Sequence, residues 1–407
     1  MRRLIFGLLL MAVACGQPQA QAPASPSAVA SPSATPTGYS SPSENPSPSP
    51  SATPSTSPYT LLFAALESKN AASAGRWDTV AIAGVDGHAR AKTTFTPMRV
   101  PNVGCTGGAV PPQSAHVAAG RVYFADGAGV VRSLSANGQI SEVATFPLTS
   151  GQQMLSFAVS PDGNRLLGAV FTMPAKPQLG CSGTSVVSGY ALDFYSAQPG
   201  SASTLLYHDS LLAHLAERRI DLGINDLVLV GWDQVGPIAT YPGEWVSQGH
   251  LPLNYTGTPV RVDFNTGTVI KQVSDPRSCY VQDIVLSGNF ACSLGVNGDL
   301  SVRRPDASEI WRAASEPKNN FFLAFLSPDE RRLAAAHASG NGADVVGKDG
   351  SRLVLTLWPV GWLDSATVIG TNDAGNLSFV ALDAPGTMVD VGFKGKFIGP
   401  VQGLTGA

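Results

Sequence analysis

The chain has 407 residues and a formal net charge of −3, and 14% of its residues are charged, against about 25% in an average soluble protein. That balance excludes a strongly basic nucleic-acid binder. The mean hydropathy of +0.09, with a single long apolar run, argues against a multi-span membrane protein.

Arg2 and Arg3 precede Leu4 to Ala14, an apolar stretch too short to span a bilayer stably. Together they read as the n- and h-regions of a signal peptide over residues 1–14. The stretch ends in Ala12-Val13-Ala14-Cys15. Small residues before a cysteine resemble the lipobox of bacterial lipoproteins, with Ala12 where Leu is commonest. The resemblance implies diacylation of the Cys15 sulfur, cleavage before it and acylation of the new amino terminus. It implies an extracytoplasmic protein anchored to a bacterial membrane by its lipid, because several acyl chains hold where one does not.

Residues 15–58 carry this cysteine and a linker. From Gln17 to Pro58, 11 of 42 residues are Pro, 12 are Ser and Glu44 is the only charge. No apolar core offsets chain entropy there, so a disordered Pro/Ser/Ala-rich spacer is expected. Extended as polyproline II it reaches at most ~130 Å.

Residues 59–407 show helical periodicity only around Ser210 to Arg219. Elsewhere short β-rich runs recur, such as Arg121 to Ala125, Val130 to Leu134, Pro259 to Phe264 and Arg352 to Thr356. Between such runs lie Asp86-Gly87, Asn137-Gly138, Thr266-Gly267, Asn297-Gly298 and Asp349-Gly350. In most of these, Asn or Asp followed by Gly tolerates the positive φ of a tight hairpin. The pattern predicts an all-β domain: a propeller, barrel or sandwich.

Two internal repeats choose among these. Phe157-Ala-Val-Ser-Pro-Asp-Gly163, followed by Arg165-Leu-Leu, returns as Phe325-Leu-Ser-Pro-Asp-Glu330, followed by Arg332-Leu. Val230-Gly-Trp-Asp233 returns as Val360-Gly-Trp-Leu-Asp364. These segments resemble the WD40-like repeats of TolB-type β-propellers, in which Ser-Pro-Asp-Gly joins the innermost strand of a blade to the next. Glu330 departs from that pattern, where Gly is usual. Four strands per blade give complete units near 113–147, 152–209, 223–274, 280–314, 320–357 and 359–392. An incomplete unit at 76–96 is completed by Lys396 to Val401. Seven blades are expected, with six the alternative.

In this register the connections between strands D and A, and between B and C, open on one face. They include the long loops Thr96 to Gln113, Met173 to Thr184, His208 to Leu222 and Tyr241 to Thr258. The A-to-B and C-to-D turns open on the other face and are mostly short. Function concentrates on loops held by a rigid scaffold, so the looped face is the expected site. Apart from Cys15 four cysteines remain, and four allow three pairings. Cys105 and Cys181 sit in two of the long loops. Cys279 and Cys292 return to the same face. The expected disulfides are therefore Cys105–Cys181 and Cys279–Cys292. A metal site is the rival use of these residues, and no CxxC or HxxH spacing supports it.

Zinc-protease, nucleophile-elbow, P-loop and EF-hand motifs are absent from the sequence. Carboxylates are few and scattered, no catalytic residue is assigned, and neither cofactor nor metal is expected. Trp232 and Trp362 read as blade-packing residues. The ligand-binding candidates are Tyr241, Glu244, Trp245, His250 and Tyr255, which gather aromatic anchors on one loop. The reading is a monomeric propeller that binds or scaffolds a protein or polysaccharide of the cell envelope or extracellular space. It touches the membrane through its lipid only and does not bind nucleic acid. A propeller-type hydrolase or lyase acting on a polysaccharide or peptide is the alternative.

Overall fold

A computed structural model describes residues 61–68, 77–99, 114–172, 191–210, 227–240, 259–275, 277–295, 298–315, 321–337 and 342–401. All lie within the compact unit Thr56–Ala407. The described chain is all β, with seven four-stranded antiparallel sheets arranged as the blades of a propeller.

Blade 1 is shared by the two ends of this unit. It holds β1 (Leu62–Glu67), β2 (Thr79–Gly84) and β3 (Ala89–Thr94), with the last strand of the chain inside them. Blade 2 runs from β4 (Ala115–Ala118) through β5 (Arg121–Ala125) and β6 (Val130–Ser135) to β7 (Ile140–Thr145). Blade 3 comprises β8 (Gln153–Val159), β9 (Leu166–Thr172), β10 (Ala191–Ala197) and β11 (Thr204–Ser210). Blade 4 comprises β12 (Val228–Trp232), β13 (Pro237–Thr240), β14 (Pro259–Val262) and β15 (Val269–Gln272). Blade 5 comprises β16 (Tyr280–Ile284), β17 (Phe290–Ser293), β18 (Leu300–Arg303) and β19 (Glu309–Ala313). In blade 6 the order is β20 (Phe321–Leu326), β21 (Arg332–His337), β22 (Ala343–Gly347) and β23 (Arg352–Leu355). Blade 7 has β24 (Trp358–Asp364), β25 (Thr367–Thr371), β26 (Leu377–Ala381) and β27 (Met388–Phe393), after which β28 (Lys396–Pro400) crosses to blade 1.

The six complete units and the C-terminal closure match the expectation. One strand of blade 1 differs from it. β1 supplies the second strand, pairing with β28 on one side and β2 on the other. Its sequence, Leu-Phe-Ala-Ala-Leu-Glu, is buried along its centre. Such a strand lacks the polar alternation that marks a half-exposed one, and its Ala and Leu residues are also good helix formers. Closing the ring with strands from both ends removes free inner edges.

The core lies between blades. Phe146, Leu155 and Phe157 belong to a cluster joining blades 2 and 3. Phe63, Phe379 and Phe393 do the same for blades 1 and 7. Among the described residues a small buried cluster of Val273, Cys279, Val281, Phe290 and Cys292 lies at blade 5. A Cys279–Cys292 disulfide ties the residue before β16 to β17 within blade 5, with Cα atoms 5.3 Å apart.

Candidate functional site at the long-connection face

Strand direction sorts the connections by face. Each innermost strand ends in an A-to-B turn, such as Ser160–Gly163 or Ser327–Glu330. The C-to-D turns at Asp86-Gly87, Asn137-Gly138, Thr266-Gly267 and Asp349-Gly350 open beside these. The opposite face receives every D-to-A and B-to-C connection, including 95–114, 173–190, 211–227 and 241–258. The first of these is partly described. Thr96 O accepts the Gly127 N–H (2.8 Å), and buried Met98 packs beside Leu155 and Phe157. This connection is therefore seated on blades 2 and 3.

Tyr241, Glu244, Trp245, His250 and Tyr255 lie outside the described residues. So do Cys15, Cys105, Cys181 and residues 211–219, where a helical pattern is expected. His208 falls on β11, where its Nδ1 meets Asp193 Oδ1 at 2.5 Å on the exposed blade edge. Trp232 and Trp362 both pack blades. Trp232 lies tilted against Phe264 (5.2 Å) beneath the Arg165 guanidinium of blade 3. Trp362 Nε1–H donates to Phe325 O of blade 6 (3.0 Å).

The innermost strands show a use of polar residues that the sequence did not reveal. An innermost strand has a pairing partner on one side only, so part of its backbone needs other partners. Side chains of the neighbouring blade supply them. Ser156 Oγ accepts the Leu229 N–H (3.0 Å). Asp283 accepts the Leu326 N–H (2.8 Å) and its neighbour Ile284 N–H (2.9 Å). The Phe325–Leu326 peptide is thus gripped by Asp283 from blade 5 and by Trp362 from blade 7. His116, buried on blade 2, meets the Phe157 ring of blade 3 edge-on at 4.8 Å.

Burial sets the charge of these groups. Desolvation, aided by the positive charge of Lys396, pushes His116 down to about 4. It pushes Asp283 up to about 6 despite two N–H donors, and Lys396 down to about 8. At neutral pH His116 is a neutral imidazole and Asp283 is ionised. The His116 ring contact and the Asp283 hydrogen bond to Leu326 join blades.

Most described aspartates are committed to turns. Asp126, Asp162, Asp233, Asp329, Asp349 and Asp364 each accept the N–H of the second residue after them. This is the Asx-turn use of the side chain. Two clusters are larger. Asp233 pairs with Arg261 at 2.7 Å, both buried, and locks the A-to-B turn of blade 4. At the long-connection end of blade 6, Asp344 Oδ2 accepts from His337 Nε2 (3.0 Å) and Arg352 Nε (2.6 Å). Arg352 also lies over the Phe321 ring at 5.5 Å. The residues of this last cluster are seven or eight positions apart across two hairpins. The Asp349-Gly350 turn was the one sequence signal that could have paired them. Among the described residues no group of three His, Cys, Asp or Glu side chains is placed to hold a metal ion.

Neither a family model nor a curated protein matches the chain. Solved propellers resemble it. An oligogalacturonate lyase in complex with manganese is 10% identical over 76% of this chain and 83% of its own, with a TM-score of 0.43. TolB from Acinetobacter baumannii is 15% identical over 81% of this chain and 63% of its own, with a TM-score of 0.36. A putative TolB from Agrobacterium tumefaciens is 12% identical over 65% and 84%, with a TM-score of 0.33. The structural neighbours thus include TolB propellers, and likeness at this level adds nothing to the architecture read from strand order.

Proposed function

We propose that the protein is an extracytoplasmic β-propeller, anchored to a membrane through Cys15, that binds or scaffolds a macromolecule of the cell envelope or extracellular space. The observation that carries this reading is the division of labour between the two faces. The A-to-B and C-to-D connections of one face are all short turns, several of them pinned by aspartates. All four long connections begin and end on the other. A scaffold that holds variable loops on one side is the usual arrangement for recognition. The Cys279–Cys292 bond supports an oxidising compartment. The low charge favours recognition through shape and aromatic contact, with Tyr241, Trp245 and Tyr255 as the anchors.

The test is retention of envelope material by the immobilised propeller, compared with a variant lacking residues 242–257. Retention by the intact chain and its loss in the folded deletion variant are expected. Equal retention overturns the assignment to this loop. Radiolabelled palmitate tests the anchor, and it should enter the intact chain but not Cys15→Ser.

A further inference from the structure

The direction of β1 determines where the segment that follows Cys15 joins the propeller. β28 is the innermost strand of blade 1. Like every innermost strand, it runs from the long-connection face to the short-turn face. β1 pairs with it antiparallel, Phe63 opposite Pro400 and Leu66 opposite Lys396. The start of β1 therefore lies at the short-turn face. Two backbone bonds hold it there. Val401 N–H donates to Leu62 O (2.9 Å), and Val85 N–H donates to Leu61 O (3.2 Å). Val85 leads into Asp86-Gly87, a C-to-D turn of that face.

We infer that the lipid anchor draws the short-turn face toward the bilayer and presents the long-connection face to partners beyond the membrane surface. This rests on the anchored reading above. The favoured partner is a macromolecule free in the surrounding space or fixed to the wall. A protein embedded in the anchoring bilayer would meet the short-turn face first. Turning the domain over requires the chain to leave Leu61, pass the rim of the propeller and return. A linker of this length has a root-mean-square span of about 40 Å when flexible, so the bias is one of average distance.

The inference is tested with the lipidated full chain on vesicles containing an acceptor-labelled lipid. A donor dye is placed through a reactive non-natural amino acid at one of two exposed positions. Lys348 follows β22 at the short-turn face, and Asp373 lies between β25 and β26 at the long-connection face. Both labelled proteins should float with the vesicles. Energy transfer from position 348 should exceed that from position 373. Flotation with equal or reversed transfer overturns the orientation and leaves the anchor intact. Failure to float, with the behaviour of Cys15→Ser, overturns the anchored reading and the orientation with it.

Discussion

Glu330 shows how one residue can depart from a turn pattern and still serve the fold. In the first repeat Ser160 Oγ bonds Asp162, Arg165 N–H bonds Ser160 Oγ, and Gly163 takes φ +74°. In the second, Ser327, Asp329 and Arg332 reproduce the bonds, and Glu330 takes φ +62°. A non-glycine residue there costs about 1 kcal/mol. The Glu330 carboxylate offsets the cost by accepting from Ser287 (2.5 Å) and Asn289 (2.6 Å) of blade 5, while its carbonyl accepts from Trp311 Nε1 (2.9 Å). Hydrogen bonds to a charged group contribute about 1.5–3 kcal/mol. Glu330→Gly should therefore destabilise by about 1–2 kcal/mol, and Glu330→Ala by about 1 kcal/mol more. Denaturant midpoints check the order, and a glycine variant more stable than the parent contradicts it.

His116 and Asp283 make opposite contributions to pH dependence. His116 is pushed from 6.5 to about 4 in the fold. The unfolded chain then binds more protons between about 4 and 6.5, so stability rises with pH through that window. Asp283 is raised from 3.8 to about 6. Here the folded chain binds more protons, so stability falls as pH rises through that window. At about 1.4 kcal/mol per pKa unit each contributes up to about 3 kcal/mol, and they largely cancel between pH 4 and 6. Denaturation curves of His116→Phe should lose stability as pH rises from 4 to 6. Asp283→Asn should gain stability over the same range. Parallel profiles for the two variants contradict this account.

Among the elements, the hairpins were the most legible. Asn or Asp before Gly placed turns at 86–87, 137–138 and 349–350, and the glycines there take positive φ. β1 was hidden because it is buried in the middle of a blade, where alternation vanishes. The bridges from His116, Ser156, Asp283 and Trp362 were hidden for another reason. Each partner lies in the next blade, and pairing them requires the register of the whole ring. The five aromatic and polar loop candidates lie outside the described residues. Ring closure rests on β28, so a chain ending at Gly395 removes the innermost strand of blade 1. Its melting should lose the single cooperative transition, and a variant that melts like the parent would show that closure is dispensable. The Cys279–Cys292 bond ties the two inner strands of blade 5 together, with a sequence separation of 13. Replacing both residues by Ala should cost about 3 kcal/mol on the chain-entropy view, read by chemical denaturation.

At the scale of the whole molecule, the seven blades form a frame whose described ionisable groups are largely spent on holding it together. The two faces differ in what they hold. One carries short aspartate-pinned turns and the point where the chain joins at Leu61. The other carries the long connections, the blade 6 cluster of His337, Asp344 and Arg352, and the disulfide. Hydrogen exchange of the propeller with and without envelope material tests the claim that binding belongs to the second face. Protection should appear in its described connections at 126–129, 146–152 and 372–376, with turns 136–139, 263–268 and 348–351 unchanged. Protection confined to those short turns, or equal on both faces, contradicts the account.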